Sequence, residues 1–124
     1  MKLALIIAAL VLMYAGHVFA EDLVSEPTQN PSARYRLFRT QNIHTLLKLD
    51  TRTGKIWQVQ WGKEKERFVT VISLKVLASG KEGLFTLYPT PNIYTFLLLD
   101  QESGNTWQVQ WGLDDEHRFV EPVE

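Results

Sequence analysis

The side chains able to ligate a metal, attack a carbonyl or move a proton are few in this chain. His117 closes the run Asp114-Asp115-Glu116-His117, which gathers the donors of a weak Ca²⁺ or transition-metal site. A metal ion needs those donors to converge, and the sequence gives only proximity. The matching stretch earlier in the chain reads Lys63-Glu64-Lys65-Glu66, so a solvated loop, with no metal bound, is expected. His44 has Lys48 beside it rather than a carboxylate. Asp50 and Asp100 are the only acids that recur in register, and paired carboxylates can hydrolyse glycosides. Each, however, opens a D-x-x-[ST]-G segment, where an Asp accepts backbone N–H groups and the Gly takes positive φ. They are read as turn residues. There is no cysteine, no Gly-x-Ser-x-Gly, no phosphate loop and no His-Glu-x-x-His. No catalytic residue, no cofactor and no enzymatic activity is expected.

The elements that carry these residues come as one unit used twice. TQNIHTLLKLDTRTGKIWQVQWG (residues 40–62) aligns without gaps on TPNIYTFLLLDQESGNTWQVQWG (residues 90–112), with 14 of 23 positions identical. A match of that length at a constant shift points to duplication. It extends upstream, RYRLFRT onto LFTLYPT. Downstream, Glu66-Arg67-Phe68-Val69 matches His117-Arg118-Phe119-Val120 after one inserted residue. All four tryptophans lie in the two WQVQWG copies.

Period-two alternation and β-branched or aromatic residues predict strands at Tyr35–Arg39, Ile43–Leu49 and Ile56–Trp61. Their copies are Phe85–Tyr88, Ile93–Leu99 and Thr106–Trp111, with short fourth strands near Phe68–Ile72 and Phe119–Val120. Asn42 and Asn92 are read as corner residues, and Pro89 and Pro91 suit the second corner. Trp57, Val59 and Trp61, with Trp107, Val109 and Trp111, are expected to face inward beside Ile43, Thr45, Leu47 and Leu49 and their copies. Burying one Trp contributes up to ~5 kcal/mol gross, against a domain's net stability of ~5–15 kcal/mol, so the rings belong in a core. A single small sheet is marginal. The fold expected is all-β: two tandem antiparallel β-meander repeats packed as a pseudo-twofold sandwich or small barrel.

Lys2, the apolar run Leu3–Tyr14 and Val18-Phe19-Ala20 have the pattern of a cleavable signal peptide over residues 1–20. Residues 21–33 read as a flexible tether. Residues 34–124 then form one domain of two repeats, 34–72 and 83–123, joined by a connector at 73–82. A chain without cysteine has no disulfide framework, so packing alone must hold it. Without Lys2 the balance is 12 basic against 14 acidic residues, which argues against a nucleic-acid footprint or a polybasic membrane patch. Export to the periplasm, the outer surface or the medium is expected, with no membrane span after cleavage.

The repeated pattern T-x-N-I-[HY]-T-x-L-x-L-D-x-x-[ST]-G-x-x-W-Q-V-Q-W resembles that of a group of small exported proteins of Gram-negative gut bacteria. The resemblance spans nearly all of the chain after residue 20. It implies export and a tandem β repeat, and it assigns no site residues.

Two sets of residues are candidates for contact with a partner. One is Gln58, Gln60, Gln108 and Gln110, whose amides both donate and accept. The other is Tyr94, Phe96 and Leu98, apolar where the first unit has His44, Leu46 and Lys48. These three are either covered by the connector or N-terminal segment, or they form an exposed patch for a partner, ligand or second copy. The expected function is a non-catalytic binding module for a protein or glycan. Alternatives are an inhibitor of a secreted hydrolase, a small glycan- or peptide-acting enzyme, and a self-associating subunit of a surface assembly.

Overall fold

The computed structural model of the chain describes residues 29–73 and 80–124. The expected signal segment, the first part of the tether (21–28) and most of the connector (74–79) lie outside the described residues. Eight strands are present: β1 (Tyr35–Arg39), β2 (Thr45–Asp50), β3 (Ile56–Gln60), β4 (Phe68–Val71), β5 (Phe85–Pro89), β6 (Thr95–Asp100), β7 (Thr106–Gln110) and β8 (Phe119–Pro122). They form two four-stranded antiparallel meanders, β1-β2-β3-β4 and β5-β6-β7-β8. The two sheets form a sandwich of repeats and do not close into a barrel. Short 3-10 turns at Glu64–Glu66 and Asp115–His117 precede β4 and β8. Among the described residues, no helix is long and apolar enough to cross a membrane.

Local chemistry explains why each unit folds alike. The Asp50 N–H donates to the Lys55 carbonyl, the Gly54 N–H donates to the Asp50 carbonyl, and the Asp50 carboxylate accepts the Arg52 N–H. Gly54 takes φ of 78° and Gly104 φ of 81°, a region that favours glycine. At the preceding corner, Asn42 Oδ1 accepts the His44 N–H and the Thr40 hydroxyl donates to the Thr45 carbonyl. Asn92, Tyr94, Thr90 and Thr95 repeat this arrangement. The T-x-N and D-x-x-[ST]-G signatures are thus the two corners of the meander.

At its start, the first unit is anchored rather than loose. Within the segment expected to be a tether, the Gln29 amide bonds both backbone groups of Leu37 on the edge strand β1. The two units meet at the β2–β3 turn, where Thr51 O accepts the Phe85 N–H and Thr51 Oγ1 accepts the Gly83 N–H.

The hairpin closure settles which residues share a face. Asp50 closing on Lys55 sets Leu49 opposite Ile56 and Leu47 opposite Gln58. Odd-numbered residues of β2 therefore share a face with even-numbered residues of β3. In the first sheet, one face carries Phe38, Thr45, Leu47, Leu49, Ile56 and Gln58, and the other carries Tyr35, Leu37, Leu46, Lys48, Trp57 and Val59. This corrects the expectation that Trp57, Val59 and Trp61 join Ile43, Thr45, Leu47 and Leu49 in one core face; Ile43 lies in the corner before β2 and is exposed. Trp61 is 50% exposed and Trp57 only half-buried, whereas Gln58 is fully buried.

The second sheet buries the other side of the same pattern. Its inward face carries Phe85, Leu87, Phe96, Leu98, Trp107 and Val109, and its outward face carries Tyr88, Thr95, Leu97, Leu99, Gln108 and Gln110. One continuous core results, with Leu47, Leu49, Ile56 and Ile72 packed on Leu84, Phe85, Leu87, Phe96, Leu98, Val109 and Trp111. The two sheets come closest at β2 and β5. The face buried by β1–β4 is left outward by β5–β8, and the reverse also holds. The sheets are stacked face to back.

Candidate functional site

Four ring contacts define the surfaces that this stacking leaves open. On the outer face of β1–β4, Tyr35 meets Trp57 edge-on with ring centroids 6.2 Å apart. Its counterpart in the second unit, Phe85 with Trp107 at 6.0 Å, faces inward: Phe85 is in the core and Trp107 packs half-buried against it. Likewise His44 meets Trp61 at 4.8 Å on the open side, and Tyr94 meets Trp111 at 4.9 Å. Trp111 is buried, and its Nε1–H donates to the Ile93 carbonyl. The same aromatic geometry is thus used once as interior and once as surface.

Cations dress the open copy. Lys48 Nζ lies 4.6 Å from the Trp57 ring centroid and Lys55 Nζ 5.1 Å from it, while the Arg34 guanidinium sits 5.2 Å from the Tyr35 ring. Such contacts favour a charge over an aromatic face and let the lysine stems cover apolar surface. Around them Leu37 is 44% exposed and Val69 57% exposed, with Leu46, Val59 and Val71 half-buried. The result is a broad aromatic-aliphatic surface on a rigid sheet, with cations over it.

The candidate contact residues fall on both sides of this division. Phe96 and Leu98 are core, 3% and 0% exposed, so they offer no patch to a partner. They share one core with Leu47, Leu49, Ile56 and Ile72 of the first unit. Tyr94 stays 40% exposed at the rim. Gln58 is inside the sandwich, and its Oε1 accepts the Gly112 N–H (3.3 Å) and Arg118 Nε–H (3.1 Å) of the second sheet. Gln60 accepts the Thr45 hydroxyl at 2.7 Å. Gln108 is exposed. Gln110 lines a cleft of about 220 Å³ with Tyr94, Trp111, Gly112, Leu113, Asp114 and His117.

Tyr35, Leu37, Lys48 and Trp57 are not among the contact candidates read from sequence, which places Trp57 in the core. The signal was in view: Lys48 stands where the second unit has Leu98. A face that substitutes Lys for Leu is the face in water, and the apolar copy is the one buried.

Within the Asp114–His117 run, His117 Nδ1 bonds the Asp114 carboxylate, and the Asp115 carboxylate accepts Arg118 Nη1–H at 2.6 Å. Among the described residues no group of three or more His, Cys, Asp and Glu is placed to hold a metal ion. At the turns, Asp100 Oδ1 accepts the Glu102 and Ser103 N–H groups at 2.9 and 3.0 Å. Burial pushes its carboxyl pKa up, but the backbone donors of Ser103 and Glu102 and the Ser103 hydroxyl outweigh burial, so it lies below the ordinary value. Asp50 Oδ2 pairs with Arg34 at 3.3 Å. Both aspartates hold turns.

No family model, curated protein or solved structure matches the chain.

Proposed function

We propose that this protein is a non-catalytic, exported binding module that presents the outer face of β1–β4 to a protein partner. One observation carries the reading: the Tyr35–Trp57 pair, with Lys48 and Lys55 over its ring, lies on the outward face of one sheet with Tyr35 exposed, whereas its counterpart Phe85–Trp107 lies on the inward face of the other with Phe85 fully buried. Tyr and Trp held on a stiff scaffold are residue types enriched in interface hot spots, and the lysines around them supply a polar rim. A sheet face of this breadth suits a protein surface better than a small molecule, which would need a deep cleft. Export rests on the N-terminal pattern of Lys2, Leu3–Tyr14 and Val18-Phe19-Ala20.

The test is a photo-crosslinking residue at Val59, with the same residue at Lys65 in the exposed 3-10 turn as control, in the cell that produces the protein. A discrete protein adduct at Val59, absent at Lys65, is expected. No adduct at Val59, or identical ladders at both positions, would end this reading.

A further inference from the structure

The sandwich has a property that a symmetric pairing of sheets would lack: its two outer faces repeat much of its two inner faces, with Thr106 for Ile56 and Glu121 for Thr70 on one and Lys48 for Leu98 on the other. Contact between unlike faces is heterologous, so each partner keeps a second, unused half of the same interface. The outward face of β5–β8 keeps Thr95, Leu97, Leu99, Gln108 and Gln110, identical to Thr45, Leu47, Leu49, Gln58 and Gln60, the set that the first sheet presses against its neighbour. The outward face of β1–β4 keeps Leu37, Trp57, Val59 and Trp61, identical to Leu87, Trp107, Val109 and Trp111 on the inward face of the second.

The polar anchor between the sheets is duplicated too. Inside the sandwich Gln58 receives the Gly112 N–H and Arg118 Nε–H. Its equivalents are Gln108, exposed on one end of the molecule, and Gly62 with the exposed Arg67 on the other.

Charge is segregated in the same sense. Residues 34–72 hold nine Lys and Arg against three Asp and Glu, and residues 83–123 hold one against six. The near-neutral chain is therefore a strongly polar one, basic at one open face and acidic in the unit that carries the other. Two copies placed head to tail attract, and two placed with like units together repel.

We infer that the occupant of the open β1–β4 face is a second copy of this chain, docked by the outer face of its β5–β8 sheet and repeating the internal stacking from molecule to molecule. Gln108 of one copy then accepts from Gly62 N–H and Arg67 Nε–H of the next. Lys48, which replaces Leu98, keeps its ammonium toward the rim and its stem over Trp57. The chain of contacts ends in a ring if the rotation between sheets closes and in a filament if it does not. This rests on the proposed function and names its partner.

Two blocked variants test the polarity of the contact. Val59→Arg places a charge on the outer face of β1–β4, and Leu97→Arg places one on the outer face of β5–β8. Sedimentation of the purified protein is expected to show association that grows with concentration and weakens with salt. Each variant, with unchanged circular dichroism and melting temperature, should associate at least about a hundredfold more weakly. Mixed together they should form a one-to-one heterodimer, since each retains the face the other has lost. If Leu97→Arg still dimerises alone, or the mixture stays monomeric, head-to-tail docking is wrong. A parent protein monomeric up to about 1 mM, the weak end of specific association, overturns the inference as well. In that case a Val59 photo-adduct to a different protein leaves the binding-module reading standing, and its absence removes both.

Discussion

The two sheets of this molecule have the same strands, the same corners and the same four-residue turn, yet they turn opposite faces to each other. In β1–β4 the Thr-Leu-Leu and Gln-Gln side is buried; in β5–β8 the Phe-Leu and Trp-Val-Trp side is buried. Part of the difference lies in three positions of the second strand and the corner before it, and part in Ile56 of the buried face, which is Thr106 on the open one. His44, Leu46 and Lys48 became, or came from, Tyr94, Phe96 and Leu98, while Thr45, Leu47 and Leu49 match their copies. A repeated sheet with two moderately apolar faces has two ways to pack, and these side chains select one. A Lys on one copy keeps that face in water, and a Phe and a Leu on the other fill the space between sheets.

The largest test of this contrast is to remove the same ring from each copy. Trp111→Ala deletes a buried ring and leaves the Ile93 carbonyl without its donor, and should lower the unfolding free energy by about 3–5 kcal/mol. That is much of the ~5–15 kcal/mol that holds a domain of this size. Trp61→Ala, at a half-exposed position, should cost under about 1 kcal/mol. Urea titration of the two variants side by side measures the difference. Equal losses would mean that the open face is as buried as the core, and the asymmetry between sheets would fall.

The glutamines sharpen the comparison at lower magnitude. Gln58→Ala takes the shared acceptor from Gly112 and Arg118 inside the sandwich and should cost about 1–3 kcal/mol, mostly from leaving buried donors short of a partner. Arg118 keeps its 3.0 Å bond to the Gly112 carbonyl, which limits the loss. Gln108→Ala, at the equivalent but exposed position, should change single-chain stability by no more than about 0.5 kcal/mol. Thermal unfolding at low protein concentration separates the two. A large loss at Gln108 in dilute solution would place that residue inside the single chain's own core.

Much of this fold is legible from local chemistry. The corners announce themselves through Thr40-x-Asn42 and Asp50-x-x-Thr53-Gly54, and alternation marks every strand. What was misread is which face each sheet buries, because alternation gives two faces and does not say how they join across a turn. The turn itself carries that information: a closure of Asp50 on Lys55 pairs residues whose numbers sum to an odd value, which puts Leu47 beside Gln58 rather than beside Trp57. The candidate surface was harder to read. Apolar character at Tyr94, Phe96 and Leu98 is compatible with either a covered face or an exposed patch until the neighbouring sheet is placed. Once stacking is face to back, the most apolar strand is the one inside. The polar anomaly at Lys48 becomes the mark of the surface. The charge split between units has meaning only when both units are placed in space.

The smallest effect separates the two turns. Asp100 is held by the backbone donors of its own turn, and its lowered pKa ties stability to its charge. A carboxyl whose folded pKa lies below its unfolded value, near 3.9, adds stability that is complete above that value and is lost as pH falls through the folded one. Asp100→Asn keeps an oxygen for the Glu102 and Ser103 N–H groups but removes the charge. Its melting temperature at neutral pH should drop by a few degrees, and its decline between about pH 5 and 2 should be shallower than the parent's. Asp50 differs in its partner: Arg34 is half-exposed, and a pair of that kind contributes little and is screened by salt. Asp50→Asn should therefore lose a part that added salt removes from the parent as well, whereas the Asp100 effect should persist in high salt. If Asp100→Asn leaves the acid limb of the melting curve unchanged, the turn's grip on that carboxylate is not what acid releases. The two turns would then be equivalent in energy as well as in sequence.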